Sequence, residues 1–365
     1  MHSLTPGYRV PAIQRGLSPF EALVTKLNAG AGGAVLASAM IEKPPIWAFG
    51  VVALNAGLIN VTAGHRSIAR WATVGVRHWR ERRAHPRLGR SAGETRTWTL
   101  YPYHGTMQDA DLRAGFHAAF SRALTYAGNQ ARSAGIQIHV THHSQADDVT
   151  THVQTISVHI PKNVIARPER VLNTIEREFS SLGALREHSP EAVPAVSDRT
   201  AAWVALEDGR YAATARITGW PASTDDDLMA NLLLDQDRPL KDRQMKTRSL
   251  SVLYRPLPVA QARRSAIWQT AAGEAFTNDK IKKDVNAMSS GTMHDALVHG
   301  ATLVDIDAYL TVWGTSPEHV TDARFKAQLD ADEHRLSLDW LTGQQHRAHV
   351  MTTAHGASTG KGAIL

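Results

Sequence analysis

The sequence predicts an α+β protein: an N-terminal two-helix transmembrane hairpin followed by a cytoplasmic body of two mixed α/β layered units. Three observations lead there. Two long, nearly uncharged runs occupy residues 23–65, eight arginines crowd between Arg66 and Arg90, and from Glu94 onward segments of period two alternate with segments of period 3.6. The 365 residues give room for about two domains at roughly 100–200 residues each, with material left for an attachment segment. The net charge of +6 is unevenly placed, and the chain contains no cysteine. That composition excludes disulfides, thiolate metal sites and cysteine nucleophiles together.

Residues 1–22 form a polar tail with no cleavable secretory pattern. The hairpin, 23–65, is built from runs 23–41 and 44–63, separated by Glu42 and Lys43 and turned by Pro44 and Pro45. The second run has about the 20 residues needed to cross a hydrocarbon core of ~30 Å. Gly30, Gly33 and Ala37, with Ala53 and Gly57 opposite, would let the two helices approach closely. A buried hairpin of a soluble protein is the competing reading. Arg9, Arg15 and Lys26 before the hairpin and the arginines after it place both ends in the cytoplasm, so the localisation expected is the inner membrane, multi-pass, with a cytoplasmic C-terminal body.

Residues 66–95 then read as a basic juxtamembrane helix and linker. At 100° per residue, Arg66, Arg70, Arg77 and Arg80 share one side, while Ile68, Trp71 and Trp79 lie on the other. This is the pattern of a helix lying at the membrane interface, with Arg66, Arg70, Trp71, Arg77, Trp79 and Arg80 meeting membrane lipid. The alternative partner is DNA: the same helix, 66–83, would serve a peripheral DNA-binding accessory protein by contacting phosphates.

The first cytoplasmic unit, 96–190, reads strand (95–103), long helix opened by Asp109 or Asp111 (109–135), two strands of strict alternation ("IQIHVTHH" and "THVQTISVHI") and a second helix ("RPERVLNTIEREFSSLG"). The proline-containing stretch 186–198 marks a boundary. The second unit, 198–355, opens with a hairpin turning at Asp208-Gly209. It continues with a helix near 225–234, the strand "RSLSVLYRP", helical material from 259 to about 298, a strand over 301–314, a helix from Pro317 and a last helical stretch in 338–354. No internal repeat of fixed period is visible. Residues 356–365 are a flexible tail.

The tail, "HGASTGKGAIL", resembles a phosphate-binding loop only superficially. Its glycines are one residue too close, Gly362 stands where a hydroxyl should hold magnesium, and no helix follows. His139, His142, His143, His152 and His159 lie on neighbouring predicted strands, His139 and His143 sharing a face with His152 able to pair opposite, but no carboxylate-backed ligand spacing accompanies them, so they read as solvent-facing. Asp225–Asp227 supply negative charge to a helix N-terminus, and no Ser/His/Asp arrangement assembles. No catalytic, cofactor-binding or metal-ligating residue is therefore assigned.

The second unit carries a set of short signatures: "ARITGWP" with Trp220-Pro221, "RSLSVLYRPLPVAQARR", "HGATLVDIDAYLTVWG", and "LDWLTGQQHRAHVMTTAHG" with Gly343-Gln344-Gln345. Their order resembles a family of actinobacterial membrane proteins of conjugation and secretion systems, whose soluble part looks like the motor-less amino-terminal half of type IV secretion conjugation ATPases. The hairpin followed by arginines resembles the layout of the type VII secretion component EccE. The resemblance implies a non-enzymatic, membrane-anchored structural subunit that docks other secretion or conjugation subunits, a separate motor ATPase among them, with a homo-oligomer possible in principle and no direct role for nucleic acid.

Overall fold

The computed structural model describes residues 93–106, 109–131, 135–146, 150–162, 164–187, 195–220, 247–258 and 302–352, with 232–233, 260–262 and single positions or short stretches between 50 and 79. The chain divides into two compact units: residues 6–86 with 342–344, and residues 1–5, 87–341 and 345–365.

In the smaller unit, β1 (Thr62–Ala63) pairs antiparallel with β2 (Arg66–Ser67), Thr62 opposite Ser67 and Ala63 opposite Arg66. Helical backbone follows at 71–72, 74–76 and 78–79. Arg66 therefore sits in an extended ribbon and does not open the basic helix. The rest of the hairpin, 23–61 apart from the helical Gly50, lies outside the described residues.

The larger unit runs β3 (Gly93–Pro102), α1 (Ala110–Gln130), β4 (Gln137–Ala146), β5 (Thr150–Pro161), α2 (Pro168–Ser180), β6 (Gly183–Glu187), β7 (Val196–Arg199), β8 (Val204–Leu206), β9 (Tyr211–Gly219), β10 (Arg248–Pro256), β11 (Val304–Gly314), α3 (Pro317–Glu333), β12 (Ser337–Trp340) and α4 (Gln345–Thr352). Local chemistry sets several of these boundaries. The Asp109 carboxylate caps α1 by accepting from the backbone N–H groups of Asp111 and Leu112. α2 and α3 each begin with proline, whose missing N–H is one the helix start leaves unpaired anyway. Between β8 and β9 the chain reverses at Gly209, whose φ of 83° a side chain would strain.

All ten strands form one antiparallel sheet in the order β6-β3-β5-β4-β10-β11-β9-β8-β7, with β12 also on β9. The order contains a repeat. β3-α1-β4-β5-α2-β6 is a split βαβ unit, its strands lying 4-1-3-2 across the sheet. Starting again at β9, the helical residues Leu232–Leu233, β10, β11, α3 and β12 repeat that element order and that strand order. The two repeats meet where their second strands pair, β4 against β10, with Val140 opposite Val252 and Thr141 opposite Ser251. The β7–β8 hairpin is an addition on the start of β9.

Each face of the sheet has its own chemistry. α1 and α2 bury Trp98, Ile138, Val140, Ile156 and Val158, with Val171, Leu172, Ile175 and Phe179 of α2 supplying the helical side of that core. α3 covers the same face of the second repeat, over Ala213, Leu310 and Val312. The opposite face is mostly threonine, serine and histidine, and α4 lies on it against β9, β10 and β11.

These findings correct the expected fold class and localisation. The described residues hold one large antiparallel sheet with few helices, not a helical hairpin followed by two layered α/β units. Among them no helix is long and apolar enough to cross a membrane, so the multi-pass inner-membrane expectation is not supported. Thr62 and Ala63, the end of the expected second span, are extended backbone in β1, and the rest of the runs 23–41 and 44–63, apart from Gly50, lies outside the described residues. The two layered units merge because alternation reports which face is buried, not which strand edges meet. Residues 338–340, expected to be helical, belong to β12, and β6 and β7 lie in stretches expected to be helix end and loop.

Candidate functional site on the polar face

Antiparallel register places alternate residues of every strand on one face. On the polar face Thr97 lies 3.0 Å from Ser157, Thr141 is 3.4 Å from Ser251, and Thr214 is 2.9 Å from Thr311, each pair joined by a hydroxyl hydrogen bond. These residues are buried, as are His139 and His159. The solvent-facing expectation for the strand histidines is thus corrected for His139 and His159. His142 stacks on His152 at 5.5 Å on the helix-covered face, and burial, followed by the neighbouring His152, holds its pKa down to about 4. Among the described residues no group of three or more His, Asp or Glu side chains is placed to hold a metal ion.

Two polar clusters stand out. At one end of the face, Asp307 of β11 is clamped between Arg216 of β9 and Arg255 of β10, one arginine to each carboxylate oxygen, and Arg255 also reaches Asp305 at 3.2 Å. Burial alone would push the Asp307 carboxyl up, but the Arg255 hydrogen bond and the charges of both arginines hold it below the usual range. Because this pKa is depressed in the folded state, the stabilisation is present above the ordinary carboxylate pKa and is lost as pH falls through the folded value. Asp307→Asn removes the charge that pairs both arginines and is expected to lower stability by about 1.5–3 kcal/mol. It should also flatten the acid limb of a urea-denaturation series measured against pH. An unchanged midpoint would mean that the clamp contributes nothing net.

At the other end, Trp313 of β11 donates its indole N–H to the Ser249 hydroxyl at 2.9 Å, and the same oxygen lies 2.7 Å from His143 Nδ1. His143 and His349 approach Trp313 edge-on, with centroids at 6.1 and 5.8 Å, and the Arg210 guanidinium lies 5.0 Å from the ring centroid. Asp208 pairs with Arg210, and Arg199 donates to His346 Nδ1 at 3.0 Å. Burial is the first cause that depresses all three imidazoles, aided by Arg210 at His143 and by Arg199 at His346. His349 is brought to about 4 by burial, then by His346 and Arg210, with Asp208 opposing. Ser249 is buried and already accepts the Trp313 N–H, so its hydroxyl acts here as a packing contact.

α4 is fixed to this face at both ends. The Gln345 side-chain amide pairs with the backbone of Thr214, accepting from its N–H at 2.8 Å and donating to its carbonyl at 3.1 Å. β8 pairs with β9 only at Tyr211 and Ala212, and β12 only from Ala215 onward, so Gln345 fills the break between them in the ladder. At the C-terminal end, Ser251 donates to the Thr352 carbonyl at 2.9 Å and Thr311 donates to the Thr352 hydroxyl at 3.2 Å.

Of the residues predicted to meet a lipid surface, Arg66 belongs to β2, and Trp71 and Trp79 lie on helical backbone with 46% and 52% of their surface exposed. Arg70, Arg77 and Arg80 lie outside the described residues, as do the tail 356–365 and Asp225–Asp227. Sequence reading noticed Gly343-Gln344-Gln345 only as a point of resemblance, because a buried glutamine that pairs with a strand backbone leaves no periodic trace. No protein-family model matches the chain, and no curated protein matches it either.

Proposed function

We propose that this protein is a non-catalytic scaffold of a DNA-conjugation or protein-secretion apparatus that docks partner proteins along the open edge of its sheet. The observation that carries the reading is β6. It pairs with β3 on one side, and among the described residues no strand occupies its other side. An edge strand presents a row of backbone donors and acceptors, and an extended segment of a partner can add to it as one more strand. β6 is short and ends in exposed Arg186 and Glu187, with exposed Tyr101 and Ala184 beside them. Charges at an edge discourage indiscriminate pairing, so a partner must match them. The resemblance of the second repeat's signatures to conjugation and secretion proteins points to the motor ATPase of the same apparatus as that partner.

The test is direct binding. Purified full-length protein mixed with that ATPase is expected to sediment as a stoichiometric complex. Photo-crosslinkers placed at the exposed positions 184 and 186 should then form adducts with the ATPase. Separate sedimentation of the two proteins, or a complex in which neither position crosslinks, would refute edge docking.

A further inference from the structure

The contacts of α4 differ along its length. Its ends are pinned by hydrogen bonds, Gln345 to β9 and Thr352 to β10 and β11. Its middle is held by His349, which is 1% exposed, lies edge-on to Trp313 at 5.8 Å, and has no hydrogen-bond partner among the described residues at either ring nitrogen. A neutral imidazole can be buried in this way, but an imidazolium needs acceptors for two N–H groups.

The surrounding charges leave little to receive a proton there. From β4 comes His143, from β7 Arg199, from the β8–β9 turn Arg210 and Asp208, and from α4 itself His346. Asp208 is the one acid among them, and it is already engaged by Arg210 at 2.6 Å.

We propose that α4 is an acid-released latch on the polar face: His349 holds it closed as an uncharged ring against Trp313, and uptake of a proton lifts the helix from β9, β10 and β11. Opening would expose Thr214, Ser251, Thr311 and Trp313, the part of the polar face that belongs to the second repeat. The proposal does not rest on edge docking, which concerns the opposite end of the strand order.

The sign follows from linkage. His349 titrates near its ordinary 6.5 when released and at about 4 when docked, so the released state binds more protons throughout that interval and gains population as pH falls. With those two values, docking weakens by about 30-fold between pH 7.5 and pH 5 from this ring alone. His143 and His346, depressed in the same direction, add to the effect.

Amide hydrogen exchange on the full chain reads this directly. Protection factors at 349–352 are expected to fall by about 30-fold or more from pH 7.5 to pH 5, while those in β3, β4 and β5 stay nearly constant. His349→Phe keeps a ring against Trp313 without a titrating group and should remove most of the fall. Should that variant fold poorly, Arg210→Gln tests the same point on an exposed side chain. Removing the nearby cation raises the docked pKa, so the fall becomes smaller. Unchanged protection of α4 in the native protein at pH 5, an equal loss in every strand, or an undiminished fall in both variants would overturn the latch.

Discussion

Replacing Gln345 by Leu is expected to lower the unfolding free energy by about 2–4 kcal/mol, a large effect for one side chain of nearly the same volume. The reason is the strand it serves. Thr214 sits in the gap between β8 and β12, where its N–H points to the Gln345 amide oxygen and its carbonyl receives the Gln345 amide N–H and the Leu341 N–H. Leucine leaves the N–H with no acceptor and the carbonyl with one donor instead of two. An orphaned buried backbone group costs about 1–3 kcal/mol, and loss of the second bond adds roughly 1 kcal/mol. Gln345→Glu should be worse at neutral pH, because one carboxylate oxygen would face the Thr214 carbonyl. It should recover in acid, where a protonated oxygen can donate. Urea denaturation reads both variants as shifts of the midpoint at constant slope. A loss below about 1 kcal/mol for the Leu variant would show that Gln345 is a passenger in the ladder.

The second large effect is expected at Arg248, on the helix-covered face. Its side chain is 3% exposed; the guanidinium donates to the Leu232 carbonyl at 2.9 Å and meets the Asp330 carboxylate of α3 at 2.6 Å. One cation therefore ties β10, the helical residues at 232–233 and α3 together within the core of the second repeat. Arg248→Met strands a partly buried carboxylate and is expected to lower stability by about 3–5 kcal/mol. The double variant Arg248→Met with Asp330→Leu should recover a substantial part, since removing both partners leaves no uncompensated charge. Strictly additive losses in that cycle would mean that the pair does not interact.

Much of the local structure of the larger unit was legible in the sequence. Asp109 as a cap, Pro168 and Pro317 as helix starts, Asp208-Gly209 as a turn and the alternation of β4 and β5 are all short-range signals, and the structure has each of them. What eluded the sequence is non-local. β6 and β12 are five and four residues long and only Gly183 among them is buried, so they lack a run long enough to show period two. The duplication left no period because the repeats differ in connection length. Three residues join β4 to β5, while 47 separate β10 from β11. Lengthening a loop adds only slowly to its closure entropy, so one fold accommodates both. The polar clusters were the least legible. Arg216, Arg255 and Asp307 come from three strands, and Trp313, Ser249, His143 and His349 from four elements. In sequence each is an ordinary charged or aromatic residue.

The placement of β6 and β7 sets a limit on how flat this sheet can be. They end the strand order on opposite sides, eight inter-strand gaps apart, yet only nine Cα steps of chain lead from Glu187 to Val196. A fully stretched chain covers about 32 Å in nine steps, whereas eight gaps of a planar sheet span about 38 Å. The covalent tether is too short for a plane, and the sheet must roll so that its two margins come within reach of each other. Three helices crowd one surface and make it the natural outside of the roll. The serine, threonine and histidine surface becomes the lining of a trough, and the length of a connecting segment, more than any side chain, fixes how wide that trough can open.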